Sequence, residues 1–363
     1  MIRQFALSKN IESLPGSSNR SELYQVATMS VNYIEITDPV YRTSWKKRNE
    51  HGYVLVEPKE HWRIPIREPG WKPKPCCLTK RFEKFDDEFS AMEVRSDDVW
   101  LASYPKTGTT WSQEMVWLIC NNLDFETARK ESLFMRFPFV ELNGIADLPG
   151  GFDYFKIAQD MPSPRFIKTH LPVGLLPHQI WSVKPKLVYV YRKAKSVAVS
   201  FYHHMATIAN YKGTLEEFTR SFMRDLQLYS PYHDHVIDYH KISHLDNLLL
   251  INYEEMKTDL PAVIKRVCVF FNKSYTDEQL AELCNHLSFE SMRNNPSLNA
   301  NEMVDMILTG TGRAHERDHA NRQFIRKGQV DGWKSDLTPE LAEEIDNWTR
   351  AKVPDVKYQK LFL

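Results

Sequence analysis

The chain has 363 residues, 42% of them hydrophobic, and its 47 Lys and Arg balance its 47 Asp and Glu. That is enough apolar material for one large α/β domain or two modest ones. A net charge of zero excludes a global field that would draw nucleic acid or an anionic membrane, so any anion binding must be local.

Residues 1–95 show no clear hydrophobic periodicity, and disorder is expected over about residues 1–22. Residues 1–10 lack the apolar core of a secretory signal. The whole chain also lacks a run of about eighteen apolar residues that could span a membrane. Cytoplasmic residence is therefore expected. Between residues 56 and 75 stand Pro58, Pro65, Pro69, Pro73 and Pro75, interspersed with Trp62 and Trp71. This pattern predicts an extended arm, residues 1–95, packed on a main domain over residues 96–363.

From residue 97 onward the pattern alternates. A short apolar run at 99–103 predicts a buried strand. It is followed by Tyr104-Pro105-Lys106-Thr107-Gly108-Thr109-Thr110-Trp111 and then by an apolar helix over 110–121. A strand, a glycine turn, hydroxyl residues and a helix start make an anion site, because the first N–H groups of a helix have no intrahelical partner and its dipole favours negative charge. The nucleoside-triphosphate loop differs: it spaces two glycines and puts Lys directly before Ser or Thr.

Further strands are expected at 165–168, 187–191 and 247–252, the second being continuous and β-branched, as in a strand buried on both faces. Helices are expected at 194–205, 215–224, 260–271, 276–286 and 339–349, with Thr276 and Thr338 as starts. Such alternation implies a central parallel sheet flanked by helices, with ligands beyond the carboxyl ends of its strands. Arg192 stands at one such end, and Ser200 lies eight residues on, along a helix. Arg326-Lys327-Gly328 offers two cations beside a residue that permits close backbone approach. Lys168 and His170, two apart at a strand end, project to the same side. The five cysteines are scattered without a Cys-x-x-Cys pair, so neither zinc nor a disulfide framework is indicated. His233, His235 and His240 lack the partner pattern of a metal site.

The order and spacing of Pro-Lys-Thr-Gly-Thr-Thr-Trp, Lys-Thr-His-Leu-Pro (168–172), Tyr253-Glu254-Glu255-Met256-Lys257 and Arg326-Lys327-Gly328 resemble the cytosolic sulfotransferase family over roughly residues 95–360. The resemblance implies a P-loop-like phosphosulfate-binding strand-loop-helix in a single α/β domain. Its donor would be 3′-phosphoadenosine 5′-phosphosulfate (PAPS), leaving adenosine 3′,5′-bisphosphate (PAP), with no metal. Lys106, Thr107, Gly108, Thr109 and Thr110 would hold the 5′-phosphosulfate. Arg192, Ser200, Arg326, Lys327 and Gly328 would hold the 3′-phosphate, and Trp111, Tyr253, Ser288 and Phe289 would frame the adenine. Taken singly, Trp111 and Phe289 would read as core aromatics. His170 would be the general base, assisted by Lys106 and Lys168.

Leu287 stands where the family usually has Thr, and Asp331-Gly332 reverses its usual Gly-Asp order. The long arm and an expected lid over 296–323 resemble the insect retinol dehydratase branch, in which a transient sulfate is eliminated. Residues 334–343, Lys334 to Glu343, resemble the family's dimer-contact motif with Pro339 in place of Val. This leaves a homodimer open beside the alternative of a plain helix start.

Phe134, Phe137, Phe139, Tyr154 and Met306 are candidates for an apolar slot for a small lipophilic acceptor, each equally readable as core packing. Three other functions compete. A P-loop kinase would need the Gly-Lys-Ser/Thr order, which is absent. A non-catalytic nucleotide-binding protein would have no use for Lys106, Lys168 and His170 together. A Golgi carbohydrate sulfotransferase would carry an N-terminal membrane anchor.

Overall fold

A computed structural model describes residues 31–38, 52–59, 61, 63–146, 151–310, 312–316, 324–326 and 328–363. The central sheet holds four parallel strands in the order β5-β4-β6-β7: β4 (Val99–Ser103), β5 (Phe166–Thr169), β6 (Lys186–Tyr191) and β7 (Leu248–Asn252). The register pairs Ala102 with Thr169 and Ser103 with Val190, while Tyr191 pairs with Asn252. The carboxyl ends of all four strands therefore lie at one edge. The chain leaves β4 toward β5 on one side and leaves the adjacent β6 toward β7 on the other, so a crevice opens between these two strand ends.

Alternation along the strands divides the core in two. Trp100, Ala102, Leu187 and Tyr189 enter one apolar cluster. Val99, Leu101, Val188 and Val190 enter the other, on the opposite face. Both faces are covered, as a parallel sheet requires. The second cluster takes in α1 (Thr109–Cys120), through Met115, Val116 and Ile119, and α6 (Leu260–Phe270), through Val263, Ile264 and Val267. The first takes in α2 (Ala194–Ile208), α3 (Leu215–Met223) and α4 (Tyr232–Lys241). The remaining helices used below are α5 (Tyr253–Thr258), α7 (Asp277–His286), α8 (Phe289–Asn294), α9 (Asn301–Gly310) and α10 (Pro339–Lys352).

The N-terminal region, expected as an extended arm packed on the main domain, contains strands among its described residues. Three antiparallel strands, β1 (Val31–Glu35), β2 (Tyr53–Pro58) and β3 (Cys76–Thr79), form a second sheet. Val54, Val56, Cys76, Cys77 and Leu78 are buried in the same cluster as Trp100 and Tyr189, so this sheet shares a core with the central one. Backbone bonds from Cys77 N–H to Ser230 O (2.8 Å) and from Tyr229 N–H to Cys77 O (2.7 Å) tie β3 to the loop before α4. Trp71 donates its indole N–H to Asp238 on α4 at 2.8 Å. All five cysteines are free thiols. Residues 1–22, expected to be disordered, lie outside the described residues.

Observed helices begin and end within a few residues of their expected bounds. Thr338 caps α10 by accepting the Leu341 N–H at 3.2 Å. Replacing Thr338 by Ala is expected to lower global stability by about 1 kcal/mol, the usual cost of losing an N-cap oxygen, measurable as a shift in the urea midpoint. Residues 296–323, expected to be a lid, contain α9, whose Val304 and Leu308 are buried. Among the described residues, no helix is long and apolar enough to cross a membrane.

Candidate active site

A cavity of about 810 Å³ lies at the carboxyl edge of the central sheet. The chain leaving each strand contributes to its wall: Lys106 after β4, His170 after β5, Arg192 after β6 and Tyr253 after β7.

The loop after β4 turns through left-handed conformations at Lys106 (φ +69°) and Gly108 (φ +107°). A Cβ on Gly108 would lie 2.7 Å from Tyr253 Cδ2, so α5 packs directly on the loop backbone and only Gly fits. The Thr107 hydroxyl donates to Tyr104 O (2.8 Å) and Val190 O (3.1 Å). It anchors the loop to the sheet, and Thr107 is not part of the cavity wall. Of the Thr107 donors, only the backbone N–H remains for a ligand. Gly108, Thr109, Thr110 and Trp111 do line the cavity. The Trp111 ring meets Tyr253 edge-on at 5.8 Å, and the Lys257 ammonium lies 5.1 Å from its centre.

Arg192 joins the outlying segments. Its guanidinium donates to Lys106 O (3.3 Å) and Gln329 O (3.2 Å) and lies 3.9 Å over the Tyr253 ring. Its buried Nε has no hydrogen-bond partner among the described residues. Ser200, Phe289, Arg326 and Gly328 complete this end. At Gly328 (φ +59°) an added Cβ would fall 2.2 Å from Phe289 Cδ2, so the Gly328 backbone lies directly against that ring. Arg326 also pairs with Asp336 at 3.4 Å. Ser288 caps α8 by accepting the Ser291 N–H and does not reach the cavity, contrary to expectation. Lys327 lies outside the described residues.

His170 stands at the other end. Its Nδ1 lies 2.7 Å from the Ser103 carbonyl, which can only accept, so Nδ1 carries the proton and Nε2 the lone pair. Its backbone N–H donates to Glu141 at 2.6 Å, and its carbonyl accepts from His235 Nε2 at 2.8 Å. Burial, then the Lys168 charge, pushes the imidazole well below its usual 6.5. The ring is thus a neutral base at physiological pH. Burial lowers Lys106 to about 7, reinforced by the charges of Lys168, Arg192 and Arg326. Burial lowers Lys168 to about 8, opposed by Glu141. Cations held so close together and so dry repel one another, and an anion among them would restore their usual basicity.

The apolar part of the wall corrects three expectations. Phe134 and Phe139 line the cavity, but Phe137 is buried in the core against Phe166 at 5.5 Å. Tyr154 packs toward Phe134 and Phe152 outside the wall. Met306 is 36% exposed on the outer side of α9, while Met303, Val304 and Ile307 face inward.

Several wall residues were not anticipated. His203 and His204 line the cavity, with His204 edge-on to Phe324 at 5.7 Å. Tyr53 and Thr79 reach it from the N-terminal sheet. His233 and His235 are committed elsewhere, His233 to the Thr349 hydroxyl and His235 to Tyr189 as well as His170.

The strand ends thus bring a glycine turn at a helix start, several lysines and arginines and a neutral imidazole to one cavity. Residues 96–357 match the family model described as Sulfotransferase domain, and the chain belongs to the sulfotransferase family. It is 35% identical over 287 residues to luciferin sulfotransferase of Photinus pyralis, covering 74% of this chain and 75% of that protein. It is 36% identical over 270 residues to sulfotransferase 1 family member D1 of Mus musculus, covering 74% and 87%. A crystal structure of retinol dehydratase with retinol and PAP is 26% identical, with a TM-score of 0.76, covering 90% of this chain and 98% of that one.

Proposed function

We propose that this enzyme transfers a sulfuryl group from PAPS to a hydroxyl or amine of a small lipophilic acceptor. The observation that carries this reading is one cavity with a neutral imidazole and an apolar wall at one end and convergent cations at the other. The wall suits the donor. Gly108 and Gly328 let the Tyr253 and Phe289 rings close on the backbone beside the cavity, and among the described residues the buried Arg192 Nε and Trp111 Nε1 have no hydrogen-bond partner. Lys106 and the N–H groups opening α1 would hold the 5′-phosphosulfate, Arg192, Ser200 and Arg326 the 3′-phosphate, and Trp111, Tyr253 and Phe289 the purine.

When bound, PAPS supplies activated sulfur: a bond from the acceptor oxygen or nitrogen replaces the bond from sulfur to the 5′-phosphate oxygen. His170 Nε2 takes the acceptor proton. Lys106 offsets charge on the departing phosphate, and Lys168 offsets charge on the sulfuryl oxygens. The apolar wall of Phe134, Phe139, Met303 and Ile307 orients the acceptor and excludes water.

Two measurements test the proposal. PAP should bind at least about tenfold more tightly than 5′-AMP by calorimetry, because a charge-assisted phosphate clamp is worth 1.5–3 kcal/mol or roughly this factor and more. Labelled PAPS incubated with phenols, sterols, retinoids and amines should yield a sulfated product by mass analysis. Equal affinity for the two nucleotides, with no labelled product, would sink the reading. The likeness to retinol dehydratase, which extends beyond the family domain, favours adding one outcome to that assay: an acceptor that emerges lighter by one water has passed through its sulfate ester to an alkene.

A further inference from the structure

Segment 138–141 runs beside β5 and extends the sheet locally. Lys168 N–H donates to Pro138 O at 2.9 Å, and Val140 N–H donates to Lys168 O at 3.0 Å. The next side chain, Glu141, is fully buried. Its Oε1 accepts the backbone N–H of His170 at 2.6 Å and the Tyr229 hydroxyl at 3.3 Å. The Lys168 ammonium, on the same short stretch of β5, lies 4.1 Å over the Phe139 ring, two residues from Glu141. One carboxylate therefore grips the backbone of the base and neighbours the cation beside it. Its absence from the cavity wall excludes direct contact with a ligand there.

We propose that Glu141 is a positioning residue for the transfer, fixing the His170 backbone and holding Lys168 as an ammonium through its negative charge. This rests on the assignment of His170 and Lys168 to sulfuryl transfer. The ionisable groups around Glu141 are Lys168 and His170 from the β5 end, Cys76 from β3, Tyr229 from the loop before α4 and Tyr239 from α4. Of these, only Lys168 carries a charge near neutral pH. Burial raises Glu141 itself to about 7, with the His170 N–H pulling it down. Its charged form is thus present above about pH 7, where Lys168 must stay protonated to act.

Glu141→Gln keeps an acceptor for the His170 N–H and removes the charge. The reactivity of Lys168 toward a small amine-acylating reagent, followed by peptide mass spectrometry across pH, reads the lysine directly with no donor or acceptor present. Its midpoint, about 8 in the parent, is expected to fall by about one pH unit or more, the usual effect of removing an adjacent opposite charge. In the PAPS assay the alkaline limb of kcat/KM should move to lower pH and turnover should drop by about tenfold or more. Glu141→Asp provides a second variant: the charge stays and the reach shortens, so the Lys168 midpoint should remain near the parent's while turnover falls. An unchanged Lys168 midpoint in Glu141→Gln, or parental turnover in Glu141→Asp, overturns the proposal. If the lysine responds while PAPS yields no product, the coupling stands and the proposed function fails.

Discussion

Replacing His170 by Ala is expected to lower kcat/KM by about 10²-fold or more while PAP affinity stays within a few-fold of the parent. The Ser103 carbonyl fixes the ring proton on Nδ1, which leaves Nε2 as the only basic atom this residue offers the acceptor. The backbone of residue 170 would remain held by Glu141, so the loss falls on proton removal and not on the fold around it. The pH profile carries the same prediction. Burial and the Lys168 charge hold the imidazole well below 6.5, and the neutral form is the active one. As pH falls through that lowered value, Nε2 takes a proton and the base is lost. In kcat/KM, which reports the free enzyme, the loss due to His170 should therefore fall below 6.5, beneath the step near 7 at which Glu141 takes its own proton. Near-parental turnover of a phenol by His170→Ala removes His170 from the mechanism.

Gly108→Val should abolish measurable PAP binding, a loss of about 10²-fold or more, and lower thermal stability. Two costs combine. A β-branched residue at φ +107° is strained, by about 1–3 kcal/mol. Its Cβ would also stand 2.7 Å from Tyr253 Cδ2, so either the loop or α5 must move, and both border the same cavity. Gly151→Ala supplies the control. That glycine also has positive φ, but an added Cβ meets nothing within 4 Å and the residue is absent from the cavity wall. It should lose some stability and leave PAP affinity unchanged. Calorimetry and a melting curve on both variants decide the matter; a Gly108→Val protein that still takes PAP within threefold of the parent would show that the loop tolerates a side chain.

The central sheet was legible because its strands are short apolar runs between helical patterns, and β4, its glycine turn and α1 fall within a residue of their expected places. The N-terminal sheet was not. Its strands pair across gaps in sequence, Leu55 with Cys77 for example, and its prolines drew attention to the connection instead. Strand preference in so short a stretch as Cys76–Thr79 depends on the neighbours it packs against.

The site was readable where motif and strand end coincide, as at Lys106, His170, Arg192 and Tyr253. It was unreadable where only orientation decides. In the aromatic run 134–139, Phe134 and Phe139 turn to the cavity while Phe137 turns to the core. On α9, Met306 sits one position away from Ile307 yet faces outward, because the phase of a helix is set by what it docks on. His203 and His204 carry no local signal of their wall position. Glu141 has none either, since its role depends on a backbone bond to a residue 29 positions away.

The matched family region begins at residue 96, yet Tyr53 and Thr79, upstream of it, border the chamber where the acceptor would sit. A recombinant protein trimmed to the matched region would therefore open one side of that chamber to solvent and expose the apolar underside of the main sheet. Exchanging the upstream portion between related enzymes should transfer acceptor preference with it, leaving handling of the nucleotide to the shared remainder.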